Sequence, residues 1–143
     1  MKDNFILEKM EEYREREAVV SPEGRVPYGD LLDRTQECLM DLDSHSVREG
    51  SVVAIVADFS ADSIAMLLAL ILKGCVVVPI SRTILDKEKY RTIAQCQFIM
   101  DIGGEMKSIV PTGLEVTHEM LLAFRRERIP GLILFSSGTT GEP

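Results

Sequence analysis

With 143 residues, 45% of them hydrophobic and 27% charged, the chain is long and apolar enough to bury one core, and disorder is excluded as a description of the whole. A formal net charge of −7 offers nucleic acid or an anionic membrane no electrostatic attraction. Cys38, Cys75 and Cys96 are widely spaced without a C-x-x-C, so reduced thiols in a cytoplasmic protein are expected and metal ligation is not.

The first predicted element is a helix over Phe5–Arg16, with Ile6, Met10 and Tyr13 on one face and a solvated run of glutamate and arginine opposite. It leads to a short strand, Ala18–Val20, and a turn at Ser21-Pro22-Glu23-Gly24. From Tyr28 to Asp43 the residues Leu31, Thr35, Cys38, Leu39 and Leu42 form one stripe, which predicts a helix packed on a sheet. Val52–Ala57 reads as a nearly continuous apolar strand. Ser60 is a candidate N-cap, with Asp62 in the first turn, for a buried helix that runs to Lys73 and ends at Gly74. The apolar stretch Ile64–Leu72 within it is too short to cross a bilayer. The N-terminus leads into a charged amphipathic stretch with no secretory h-region.

Val76–Val78 is the next strand, expected to stop at Pro79. A helix is expected from about Asp86, with Tyr90, Ile93 and Ala94 inward. A strand then covers Phe98–Ile102 and is broken by Gly103-Gly104. The run at Ile109-Val110 is ambiguous. Thr117 is the candidate cap of a last helix, with Met120, Leu121 and Phe124 inward. Gly131–Phe135 is a short apolar run behind Pro130, consistent with a buried strand. Apolar strands alternating with helices predict an α/β fold, a mainly parallel sheet flanked by helices on both faces.

That last strand opens into Ser136-Ser137-Gly138-Thr139-Thr140-Gly141-Glu142-Pro143. Glycine lets a backbone turn through positive φ and approach an anion closely. Four hydroxyls add donors that rotate to suit a polyphosphate. The string is not a Walker A loop, which requires lysine directly after its last glycine. Other residues carry blander readings. His118-Glu119 lacks the second histidine of a zinc-protease helix, because position 122 is Leu122. His45 reads as a loop residue and Asp58 as a turn residue placed where a ligand contact would be feasible. No nucleophile–base pair and no G-x-S-x-G appears, so no catalytic residue and no metal ligand is assigned.

The run from Phe135 to Pro143 resembles the phosphate-binding signature of the adenylate-forming superfamily, which includes acyl-CoA synthetases, adenylation domains of peptide synthetases and luciferases. Arg25-Val26-Pro27-Tyr28-Gly29-Asp30-Leu31-Leu32 is similar to the early Thr-Tyr-x-Glu-Leu segment, with Pro27 and Asp30 as departures. Val47–Ala57 resembles the Gly-Asp-x-Val-Ala strand, and Ser63–Pro79 the apolar helix and Val-Pro strand that follow it. The resemblance covers nearly the whole chain in register.

It implies the first part of the large N-terminal domain of an adenylate-forming enzyme over residues 1–143, without the C-terminal domain that carries the adenylation lysine. It also implies an ATP-dependent acid–thiol ligase of acyl-CoA synthetase type. A carboxylic acid would attack the α-phosphate of ATP and release pyrophosphate, and coenzyme A or a carrier pantetheine would accept the acyl group, with Mg²⁺ as counter-charge. By the same resemblance Ser136, Ser137, Thr139 and Thr140 supply hydroxyls to the phosphates, and Gly138 and Gly141 supply backbone N–H groups. The chain alone is expected to be inactive. Two alternatives stand beside this: one half of a split enzyme whose uncovered sheet edge takes a complementing chain or a second copy, and a non-catalytic binding or regulatory module.

Overall fold

The computed structural model describes residues 5–103 and 107–135 of the chain. Helix α1 is Phe5–Glu12, and a hairpin follows from β1 (Glu17–Ser21) and β2 (Gly24–Pro27), paired antiparallel. Next come α2 (Tyr28–Ser44), β3 (Val52–Val56), α3 (Ala61–Leu72), β4 (Val76–Ile80), α4 (Lys87–Ile93) and β5 (Phe98–Asp101). The last elements are β6 (Ser108–Pro111), α5 (Glu119–Glu127) and β7 (Gly131–Leu132). The main sheet has the order β6-β5-β3-β4-β7; β5, β3, β4 and β7 are parallel and β6 runs antiparallel at one edge. The expected α/β architecture is therefore observed, with a mixed rather than wholly parallel sheet.

Every residue of β3 is buried, which is why that segment reads as continuously apolar and not as an alternation. Its odd and even positions feed two cores. Val53 and Ile55, with Val77 and Met100, pack against α2 and α3 through Leu42, Met66, Ala69 and Leu70. Val52, Ala54 and Val56, with Val76, Val78 and Ile80, face Ala94, Cys96 and Leu121, with Tyr90 and Phe124 packed alongside. Helices thus cover both faces, α2 and α3 on one and α4 and α5 on the other.

Several boundaries differ from expectation. The first helix ends at Glu12, because the carbonyls of Arg14 and Arg16 leave the helical course and accept from Gly29 N–H and Tyr28 N–H. Those two bonds dock the first turn of α2. Met10 is buried while Ile6 is exposed, so the inward face of α1 is centred on Met10 and Leu7. The Ser21–Gly24 turn closes a hairpin whose second strand was not anticipated, with Gly24 at φ 141°.

Ser60 caps α3 as expected, accepting from Ser63 N–H while the Ser63 hydroxyl accepts from Ser60 N–H. Gly74, at φ 75°, follows the helix end. Thr117 is not the cap of α5. His118 takes that role through Nδ1 and Met120 N–H, while Thr117 is held by both side-chain atoms of Gln95. Ile93 and Met120 are exposed, against expectation, because Tyr90 with Ala94 and Leu121 with Phe124 already fill the space under their helices. The ambiguous run at Ile109-Val110 is edge strand β6. Gly103, at φ 98°, follows the end of β5 as a breaker, and Gly104 lies outside the described residues.

Pro79 does not end its strand but sits inside β4 opposite Ile55. On the β7 side the ladder runs Gly131 N–H to Cys75 O and Ile133 N–H to Val77 O. In a parallel ladder the next bond on that side requires an N–H from residue 79, which proline does not have. Proline is tolerated because β7 departs there.

Among the described residues no helix is long and apolar enough to cross a membrane.

Candidate functional site

In open parallel sheets ligands gather outside the carboxyl ends of the strands, where crossovers diverge. Here β3 and β4 are joined through α3 on one face, whereas the chain from β4 to β5 passes through α4 on the other. The carboxyl edge is formed by Asp58 to Ser60 after β3, Ser81 to Thr83 after β4, Ile102-Gly103 after β5 and Ile133 to Phe135 after β7. A cleft of about 620 Å³ opens over the first three of these and is flanked by the β1–β2 hairpin.

The three arginines of its lining are ion-paired. Arg82, leaving β4, reaches across the end of β3 to pair with Asp101 and donate to the Ile102 carbonyl at 3.1 Å. Arg34 of α2 pairs with Asp62 of α3 at 2.5 Å. Arg25 of the hairpin pairs with Glu17. These pairs are half-exposed, so each contributes little to stability, about 0 to 1 kcal/mol, and chiefly fixes the positions of the loops. Asp58 lines the cleft beside Phe59, which is 75% exposed. Sequence reading singled out Asp58 but not Arg34 or Arg82, whose partners lie 28 and 19 residues away.

The predicted phosphate-binding residues Ser136, Ser137, Gly138, Thr139, Thr140 and Gly141 lie outside the described residues. The strand that leads to them is described. β7 is parallel to β4 and runs toward the carboxyl edge. Phe135 packs edge-on against Tyr90 of α4, with ring centroids 4.6 Å apart and an interplanar angle of 66°. Ile133 and Phe135 face the α4 side, whereas Leu132 and Leu134 are 56% and 69% exposed. The expected buried strand is therefore half-buried on one face and exposed on the other. Leu132 also borders an apolar groove with Leu67 and Ile71 of α3 and with Pro130 and Gly131.

His45 and His118 end and begin helices, as surface residues of structural use. All three cysteines are buried and free, and burial pushes the thiols up, Cys75 to about 11 and Cys96 to about 12. Among the described residues no group of three His, Cys, Asp or Glu side chains is gathered as for a metal ion.

No protein-family model matches the chain. It is 27% identical over 149 residues to hybrid PKS-NRPS synthetase 1 of Dothistroma septosporum, covering 93% of this chain and 4% of that protein. It is 25% identical over 139 residues to phenyloxazoline synthase MbtB of Mycobacterium tuberculosis, covering 88% of this chain and 10% of that protein. Among solved structures, the Klebsiella oxytoca NpsA N-terminal subdomain in complex with 3-hydroxyanthranilyl-AMSN superposes with a TM-score of 0.71 at 19% identity. That superposition covers 96% of this chain and 38% of the subdomain. Holo-PA1221, an NRPS protein containing adenylation and PCP domains, gives 0.65 at 28% identity, covering 96% of this chain and 26% of that one. Both the sequence matches and the fold bear out the resemblance to the adenylate-forming superfamily. The chain spans a small part of each of these proteins.

Proposed function

We propose that this chain supplies the opening layers and the phosphate-binding loop of an ATP-dependent adenylating domain, which joins a carboxylic acid to AMP and releases pyrophosphate. The observation that carries the reading is the direction of β7. It lies parallel to β4 and leads the chain toward the same sheet edge on which the loops after β3, β4 and β5 meet. Hydroxyls of Ser136, Ser137, Thr139 and Thr140 and backbone N–H groups at Gly138 and Gly141 hold the β- and γ-phosphates there. The described residues fit such a loop: β7 loses its ladder at Pro79, and Phe135 anchors the departing backbone on Tyr90. Mg²⁺, when bound with the nucleotide, offsets the phosphate charge.

The chain's own contribution is binding and orientation. A clamp on the leaving pyrophosphate holds the α-phosphate for in-line attack and stabilises the charge that develops on the leaving oxygen. The relatives named above include a hybrid PKS-NRPS synthetase and an NRPS protein containing adenylation and PCP domains, which favours a carrier-bound pantetheine over coenzyme A as the acceptor.

The exposed Leu132 and Leu134, beside the groove of Leu67 and Ile71, mark where further adenylating-domain polypeptide covers the β7 edge, whether in the same chain or in a complementing one. The test is ATP–pyrophosphate exchange. The 143 residues alone are expected to give none with any carboxylic acid, and addition of a polypeptide carrying the remaining adenylation segments is expected to give exchange that Thr139→Ala lowers. Exchange unaffected by Thr139→Ala would overturn the assignment of the loop.

A further inference from the structure

We infer that Cys38 and Lys107 form a site of reversible oxidative modification, at which a peroxide converts the pair into a covalent S–N link that clamps α2 to the start of β6. The inference is independent of the proposed phosphate loop, to which neither residue belongs.

The fold brings the two together from positions 69 residues apart. Cys38 and Asp41 lie one turn apart on the same side of α2. Lys107 enters β6, whose first residue, Ser108, is held in register by Asp101 of β5. Its Nζ is thereby placed 3.6 Å from Cys38 Sγ and 2.6 Å from Asp41 Oδ2. A lysine nitrogen already touching a sulfur needs little movement to bond to it. The other two thiols are differently placed. Cys75 Sγ donates to the Arg48 carbonyl at 3.5 Å, and the charged neighbour of Cys96 is Arg91, a guanidinium that keeps its protons and is no nucleophile.

Cys38 is 6% exposed, which shuts out a bulky reagent. With Glu37, Asp41 and Lys107 it nevertheless lines a pocket of about 350 Å³, room enough for a peroxide. Burial pushes the thiol up, and the neighbouring Lys107 ammonium draws it part of the way back. The reacting thiolate is a minor form at neutral pH, so oxidation is slow there and quickens as pH rises.

The chemistry balances with peroxide as the oxidant. The Cys38 sulfur loses two electrons to the O–O bond, giving a sulfenic acid and water. Lys107 passes one ammonium proton to the Asp41 carboxylate, and its freed lone pair attacks the sulfur. The S–O bond breaks, and the hydroxide leaves as water with a second lysine proton. The product is a sulfenamide, which a dithiol reductant returns to thiol and amine. The pocket shares Arg34, Asp62, Ile102 and Gly103 with the cleft at the carboxyl edge, so the link stiffens a wall common to both.

The experiment treats the 143-residue chain with hydrogen peroxide at about pH 8.5 and reads intact mass, peptide map and thermal midpoint, for the parent, Cys38→Ala and Lys107→Arg. Lys107→Arg keeps the charge beside Asp41 and removes the nucleophile. The parent is expected to become lighter by about 2 Da, two hydrogens lost for one bond formed. Its map should join the Cys38 and Lys107 peptides, and reductant should separate them. The linked protein is expected to melt at higher temperature than the reduced one, since the bond closes a long loop in the unfolded chain. Cys38→Ala should stay unlinked, and Lys107→Arg should gain oxygen at Cys38 instead.

The same mass loss in Lys107→Arg would identify a disulfide and overturn the inference. Oxygen gained at Cys38 of the parent with no link to Lys107 would overturn it as well, as would a parent that peroxide leaves unchanged while the unfolded chain reacts. A mapped link that leaves the thermal midpoint unmoved would overturn the clamp.

Discussion

Ile133 and Pro79 bracket the point where the β4–β7 ladder stops: Ile133 donates to the Val77 carbonyl, and Pro79 has no N–H to donate to the Ile133 carbonyl in turn. The end of β7 is thus written into its neighbour. β7 is ended not by a glycine of its own but by a missing donor in β4, three residues before the hydroxyl-rich string begins in the sequence.

Replacing that proline should lengthen the strand. In Pro79→Ala the new amide is expected to donate to the Ile133 carbonyl and to be protected from hydrogen exchange, with a stability change of about 1 kcal/mol or less. Exchange of this new amide at the rate of an unstructured peptide would show that the ladder ends for another reason.

The core-facing and solvent-facing sides of α2 make different demands on nearby positions. Leu42 is fully buried and Met40 is 65% exposed. Leu42→Ala is expected to cost about 2 to 5 kcal/mol, and Met40→Ala within about 0.5 kcal/mol of nothing. Urea unfolding of the two variants checks this; similar midpoints would mean that α2 does not present the face described.

The Ser60 cap can be tested with little disturbance to packing. Ser60→Ala leaves the Ser63 N–H without its acceptor and is expected to destabilise by about 1 kcal/mol. Ser60→Asp should retain most of that stability. A thermal midpoint in Ser60→Ala equal to the parent's would sink the capping assignment.

The buried thiols predict an alkaline limit. Burial raises Cys75 to about 11 and Cys96 to about 12 from an ordinary value of 9.0. Above pH 9 the unfolded chain therefore loses thiol protons that the folded chain keeps, and stability falls as pH rises through that window. The contribution is fully present below pH 9. Native protein at pH 8 should leave all three thiols unlabelled by a disulfide reagent, and the unfolded chain should expose three. Rapid labelling of Cys75 or Cys96 in the native state would contradict their burial.

The uncovered β7 face predicts self-association. Leu132 lines the groove of Leu67 and Ile71, and Leu134, two residues on, is also exposed. Leu132→Lys with Leu134→Lys is expected to lower the sedimentation-average mass of the chain at high concentration without lowering its thermal midpoint. An unchanged monomer in both proteins would show that this face needs no cover.

The alternation of elements was legible in the residues themselves. A fully buried strand such as Val52–Val56 has to be apolar at every position, and a cap such as Ser60 has to be followed by a helix. The family resemblance was legible as well, because it rests on residues at fixed spacing along the chain. Tertiary structure decided what depends on distant partners. Pro79 reads locally as a stop, yet it is accommodated inside β4 because its nitrogen faces β7 at the point where that ladder ends, while its β3 side stays paired. The run at Ile109-Val110 became a strand only through pairing with β5. Arg82 gains its meaning from Asp101, and Tyr90 from Phe135, pairings between residues too far apart in the chain for any local pattern to record. Sequence by itself determined which segments could form and what chemistry their ends could carry. The packing of two cores on one sheet decided which ends meet, since burial and ladder register are shared quantities that no single segment sets.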